Sequence, residues 1–194
     1  MTDGSNPQPE SAQINLKDPF LAAFLAWLIP GLGHLYQGRI AKAVLFFVCI
    51  MGIFVYGVYL GGSSSLGYGR AVYFSFRTEE KRLPYICQIG VGLPALPACV
   101  QAIRMNNGKP VLFNGFMAPP RSLNVLENDP NREQPTIDTL NRVLNRNFEL
   151  ATYFTMVAGL LNVLAIYDAF SGPVPPLHPK KAEHPDKTEK TEQS

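Results

Sequence analysis

Residues 41–62 read AKAVLFFVCIMGIFVYGVYLGG. After Lys42 the run holds no charged residue. As a helix rising about 1.5 Å per residue, it is long enough to cross a hydrocarbon core of roughly 30 Å. A helix that is apolar on every side is unusual in a small soluble protein, which has too little core to surround it. The stretch therefore predicts a transmembrane helix.

Immediately upstream, residues 28–43 read LIPGLGHLYQGRIAKA. This predicts a helical hairpin whose turn lies at a membrane face. Gly38 suits the end of the first helix. Tyr36 joins an apolar ring to a polar tip and fits the headgroup level. Arg39 and Lys42 lie just beyond and reach lipid phosphates by snorkelling. Gly31 and Gly33, with Ala22 and Ala26 a turn or more before them, let a second helix come close. Gly31-x-Gly33 is no phosphate loop, because the preceding strand and the GK[ST] are missing.

The whole first block is DPFLAAFLAWLIPGLGHLY, 18–36. Asp18 is placed to cap it and Pro19 to start it. Pro30 removes a backbone hydrogen bond and kinks it. The block spans a bilayer only if Gly31 to Tyr36 continues the helix; otherwise it is re-entrant or interfacial.

A third block, PYICQIGVGLPALPACVQAI (84–103), carries Gly90, Gly92, Pro94 and Pro97 inside it. Membrane helices tolerate such residues where neighbours satisfy the freed carbonyls, so it predicts a kinked transmembrane helix packed centrally. A fourth, LATYFTMVAGLLNVLAIYDAF (150–170), is free of charge until Asp168 and stops at Ser171-Gly172-Pro173. Before it, Ile137, Leu140, Leu144 and Phe148 recur at helical spacing, with Arg142, Asn145 and Arg146 on other faces. That pattern predicts an amphipathic helix lying on the membrane.

The expectation is an all-α integral membrane protein with three to four transmembrane helices. Its parts are a disordered polar tail (1–17), a membrane helical hairpin (18–62), a loop (63–83) in which AVYFSF reads as a short strand, the kinked helix (84–103), an extramembrane loop (104–136), the amphipathic helix (137–149), a last span (150–171) and a disordered tail (172–194). Composition agrees with one domain: 194 residues, a net charge of +2, and a hydrophobic fraction of 46% gathered into four blocks with the charges between. That balance, with no basic stripe among aromatics, argues against nucleic acid. Cys49, Cys87 and Cys99 all sit in apolar blocks and read as small hydrophobes rather than a disulfide framework. Lysine and arginine divide almost evenly between the two faces, so charge does not orient the chain.

Three polar residues in the apolar blocks are candidates for function: His34, Asn162 and Asp168. An intramembrane ionisable group is a functional hypothesis by default. The plainer readings are that His34 bonds a carbonyl freed near Pro30 or sits among headgroups, that Asn162 bonds a neighbouring helix, and that Asp168 is an interfacial carboxylate. If all four blocks span, Asp168 lies on the side of Lys17 and Arg82. Gly57-x-x-x-Gly61 and the stripe Ala151, Thr155, Gly159 read as helix-packing surfaces. No catalytic constellation, cofactor motif or metal-ligand spacing is visible: Ser63-Ser64-Ser65 lacks a nucleophile turn and a base, and His178 and His184 lie in the tail.

WLIPGLGHLYQGRIAKAVLFF resembles the hairpin of small two-transmembrane-helix domain proteins and their bacterial relatives, which share a P-G-x-G-x-x-Y-x-G-[RK] turn. Together with CQIGVGLPALP, NGFMAPP and FELATYFTMVAGLLNVLAIYDAF, it is similar over most of 19–172 to an uncharacterised bacterial membrane-protein family defined only as a domain of unknown function. The resemblance implies a multi-span membrane protein and no activity. The Asp-Arg-Phe signature of the animal two-helix proteins is missing, so their associations do not carry over.

The expected role is non-enzymatic: a scaffold, assembly partner or accessory subunit in a bacterial inner membrane, with lipid around it and either a second copy or another membrane protein as partner. One alternative is a component of an oligomeric transporter or channel, built on the broken third block. The other is a membrane-embedded enzyme using His34, Asn162 or Asp168.

Overall fold

The computed structural model describes residues 18–76, 83–121 and 128–172. The tails expected to be disordered lie outside these residues, Gly172 apart. Among the described residues every regular element is helical. The chain forms α1 (Pro19–Leu28), α2 (Leu32–Tyr36), α3 (Ile40–Leu60), α4 (Pro84–Gln88), α5 (Leu96–Asn106), α6 (Ile137–Leu144) and α7 (Arg146–Ser171). The stretch 71–76, expected as a strand, is irregular. Its backbone is diverted into the turn that packs Ala71, Val72 and Tyr73 into the interior.

Two helices, α3 and α7, are long and apolar enough to cross a membrane. They lie antiparallel. Gly57 of α3 and Gly61, just past its end, face Thr155 and Ala151 of α7 with no room for a Cβ. At the other end Lys42 meets Asp168. The buried face of α7 includes Ala151, Thr155, Ala158, Gly159, Asn162, Ala165 and Ala169. This stripe at helical spacing is made of small residues, so backbones approach closely instead of interlocking large side chains.

The first block does not run as one helix. α1 is about 15 Å long, half of what a span needs. After Pro30 the chain reverses at Gly31 (φ +84°), a conformation that favours glycine. α2 then folds back, with Gly33 against the Ala22 carbonyl and the Ala26 methyl. The block therefore does not continue as one long helix through Gly31 to Tyr36.

The third block departs from expectation. Instead of a kinked continuous helix, it is α4, a 3-10 turn (Ile89–Val91), a reversal at Gly92 (φ +86°), a second 3-10 turn (Leu93–Ala95) and α5. The Tyr85 hydroxyl at the start of α4 donates to the Ala95 carbonyl (2.9 Å) and lies 3.1 Å from Cys99 Sγ. The segment is thus a second hairpin that returns to the end it came from. The reason is local: Gly92 permits the reversal, and Pro94 and Pro97 withhold two consecutive-turn donors that a straight helix would use. In consequence the loop after α3 and the loop after α5 meet at one end of the molecule, where Arg70 bonds the Asn114 carbonyl and Gln134.

The amphipathic helix ends at Leu144, and Asn145 (φ +48°) separates it from α7, so residues 146–149 belong to the last helix. Its apolar face, expected on lipid, is covered by protein: Leu140, Leu144 and Phe148 pack with Ala71, Tyr73, Leu60 and Leu66.

Candidate functional site

The α2–α3 turn carries four polar side chains to the C-terminal end of α7. The turn is built locally: the Arg39 amide reaches the His34 carbonyl (2.8 Å) and the Gly38 amide the Leu35 carbonyl (2.9 Å). This paired closure ends a helix with glycine after the cap. It points His34, Gln37, Arg39 and, one turn on, Lys42 at α7.

Asp168 is the hub. Its Oδ2 accepts from His34 Nε2 (2.8 Å), Arg39 Nη2 (2.9 Å) and Lys42 Nζ (3.2 Å), and Lys42 also reaches Oδ1 (3.3 Å). Gln37 Nε2 donates to the Ala169 carbonyl at 2.6 Å, satisfying a last-turn acceptor of α7. An ionised carboxylate only accepts, so His34 carries its proton on Nε2. Its Nδ1 is then an acceptor, and it is buried without a hydrogen-bond partner. The His34 ring is fully buried and lies tilted against Phe46, ring centroids 4.8 Å apart, while the Asp168 side chain is 34% exposed. The cluster therefore spans from wet to dry.

Helix dipoles explain why these charges belong together. Arg39 and Lys42 lie at the N-terminus of α3, where cations are disfavoured, and Asp168 near the C-terminus of α7, where an anion is disfavoured. Antiparallel packing sets each against the end that welcomes it.

A second polar point lies further along α7. Asn162 Nδ2 donates to the Ala26 carbonyl (3.1 Å) and to the Gly90 carbonyl (2.8 Å). Each is four residues before a proline, Pro30 and Pro94, and so is an acceptor whose helical donor is missing. The two hairpin tips come together here: Trp27 Nε1 donates to the Ile89 carbonyl (3.2 Å), and a Cβ on Gly92 would overlap the Trp27 carbonyl. Asn162 Oδ1 is buried without a partner.

Several sequence expectations are relocated by this geometry. His34 does not bond the carbonyl freed at Pro30; Asn162 does, and His34 bonds Asp168. Asp168 pairs with the α2–α3 turn, and Lys17 and Arg82 lie outside the described residues. Arg39 and Lys42, expected on lipid phosphates, are held by Asp168. Tyr36 is half-buried beside them. Gly31 lies against the Ala43 carbonyl, and Gly159 against Cys87 and Gln88, so the small-residue stripe is used inside the molecule. Gln88 was not singled out in the sequence. It is buried and donates to Thr155 Oγ1 (2.8 Å) and the Ala71 carbonyl (3.2 Å). Its acceptors lie 17 and 67 residues away, so no local signal pointed to it; the proline at i+4 marks only Ala26 and Gly90, the acceptors of Asn162.

Residues 21–182 match a family of unknown function, DUF6677. The chain belongs to this family. No curated protein and no solved structure matches it. The family carries no activity to transfer, so the functional reading rests on the geometry.

Proposed function

We propose that this DUF6677 chain is an integral membrane protein of a bacterial inner membrane, with α3 and α7 as two antiparallel spans and the α1–α2 and α4–α5 hairpins entering part-way from opposite faces. Its role is that of a non-enzymatic scaffold or accessory subunit that presents a fixed surface to another membrane protein. The observation that carries the membrane reading is where the apolar residues point. Only 22% of the most apolar window of α3 is buried, and Val44, Leu45, Phe47, Val48, Val55 and Tyr59 face outward. A soluble core helix would be mostly covered; lipid covers this one. The scaffold reading is supported by how the polar groups are spent. Asn162 caps the broken tips and Asp168 ties the hairpin turn to α7, so both act as internal fastenings.

The test is fractionation followed by in-cell crosslinking of the full chain. Extraction from membranes by detergent but not by alkaline carbonate is expected, with a reproducible membrane-protein partner in the crosslinked material. Release by carbonate overturns the membrane reading; a membrane-embedded chain that crosslinks only to itself overturns the accessory reading. A second reading, a transporter or channel component, is favoured by one observation: two broken hairpins meeting at Asn162, whose Oδ1 is unspent. Ion flux through liposomes holding the purified chain, abolished by Asn162→Leu, would select it.

A further inference from the structure

At the end of the molecule opposite Asp168, the loops after α3 and α5 enclose a pocket of about 360 Å³, within the range of small-ligand sites. Its wall carries Arg70, Arg121 and Arg132 against one carboxylate, Glu133. Arg70 is only 3% exposed. Three of the five N–H donors of its guanidinium are spent within the chain: Nε donates to the Leu66 carbonyl (2.7 Å), Nη1 to Gln134 Oε1 (2.8 Å) and Nη2 to the Asn114 carbonyl (3.0 Å). These acceptors are all neutral. Burial pushes the guanidinium down to about 10, still charged at neutral pH. Gly67 and Gly115 make the space for it, since a Cβ at either would press on the guanidinium.

Arg121 is the second observation. Its backbone is pinned, donating to the Pro135 carbonyl at 2.9 Å, yet its side-chain Nε is buried with no hydrogen-bond partner. A buried donor of a cationic group left unpaired is costly, and the side chain that carries it lines the pocket, so an acceptor entering there offers the guanidinium partners that the chain does not. Arg132 stands exposed at the rim. A buried cation among neutral acceptors, an unspent guanidinium donor and a third cation at the mouth together call for a compact anion with several acceptor oxygens. Forked guanidinium donors match phosphate in this way.

We infer that the pocket lined by Arg70, Arg121 and Arg132 binds a phosphate group, either of a dissolved phosphate or of a lipid headgroup. The full-length chain in neutral detergent is titrated with sodium phosphate against sodium chloride at matched ionic strength, following heat of binding. In parallel, its thermal unfolding is compared in nanodiscs of phosphatidylcholine alone and of phosphatidylcholine with phosphatidylglycerol. A saturable response to dissolved phosphate identifies the free anion as the source; stabilisation confined to the phosphatidylglycerol discs identifies the headgroup. In either case Arg121→Gln is expected to weaken the response at least tenfold, while Arg142→Gln, an exposed cation on α6, leaves it within twofold. If Arg121→Gln does not fold, Arg132→Gln at the rim is expected to weaken it about threefold. No saturable response in either format, or a response equal in wild type and the arginine variants, overturns the assignment.

Discussion

Asn162 uses one amide group to satisfy two carbonyls that prolines leave without donors. Replacing it with leucine keeps the branched shape at somewhat larger volume, removes the donor and strands both acceptors in a buried place. Asn162→Leu is therefore expected to cost about 1–3 kcal/mol, read from the denaturant midpoint of unfolding in mixed micelles; a change under about 0.5 kcal/mol would show that the capping is dispensable. Asp168 invites a pairwise test. In a double-mutant cycle, Asp168→Asn and Arg39→Gln are expected to couple by about 0.5–3 kcal/mol. The lower part of that range is favoured because the carboxylate is partly exposed and screened. Strict additivity would mean that the ion pair holds nothing. The importance of both residues as polar groups in apolar helices was legible. Their partners were not: Lys42 is 126 residues from Asp168 and Ala26 is 136 from Asn162, and no local rule reaches that far.

Each hairpin is decided by its tip. Gly92 adopts a left-handed φ and lies against the Trp27 carbonyl of the other hairpin. Gly92→Ala therefore meets backbone strain and a collision with a group that cannot move without shifting α1. A loss of at least about 2 kcal/mol is expected. Gly52 is the contrast: it lies mid-helix in α3 with open space around its Cα. Gly52→Ala is expected to be neutral or to gain up to about 1 kcal/mol from helix propensity. Measuring the two side by side separates packing from intrinsic preference, and equal effects would refute the tip-to-tip contact. The α1 cap was readable because it is local: Asp18 accepts from the Phe20 amide at 2.9 Å. The break in the third block was readable as Gly and Pro, but not its consequence. A proline-rich segment permits both a kink and a reversal, and contacts with α7 select the reversal: Gly90 and Gly159 touch backbone to backbone.

The reversal changes the topology of the molecule. With α4–α5 returning to its own end, the loops at 63–76 and 107–121 share one face, and the start of α1 and the end of α7, joined by the Phe20–Phe170 ring contact at 5.4 Å, share the other. Single cysteines at Ser64 and Asn107, both exposed, in a background lacking Cys49, Cys87 and Cys99, are expected to label from the same side of a sealed membrane. A cysteine at Ser171 is expected to label from the opposite side. Labelling of Ser64→Cys and Asn107→Cys from different sides would restore a spanning third block and discard the paired hairpins. Composition and periodicity alone determined the helical class, the two long apolar helices, the caps, and the small-residue faces of α3 and α7, because each depends on residues within a few turns of one another. Only the tertiary structure decided that two of the four apolar blocks turn back part-way, that Asp168 belongs to the α2–α3 turn, and that three arginines share one pocket. Those outcomes depend on contacts between segments distant in the chain, where the same local pattern fits more than one path and packing energy makes the choice.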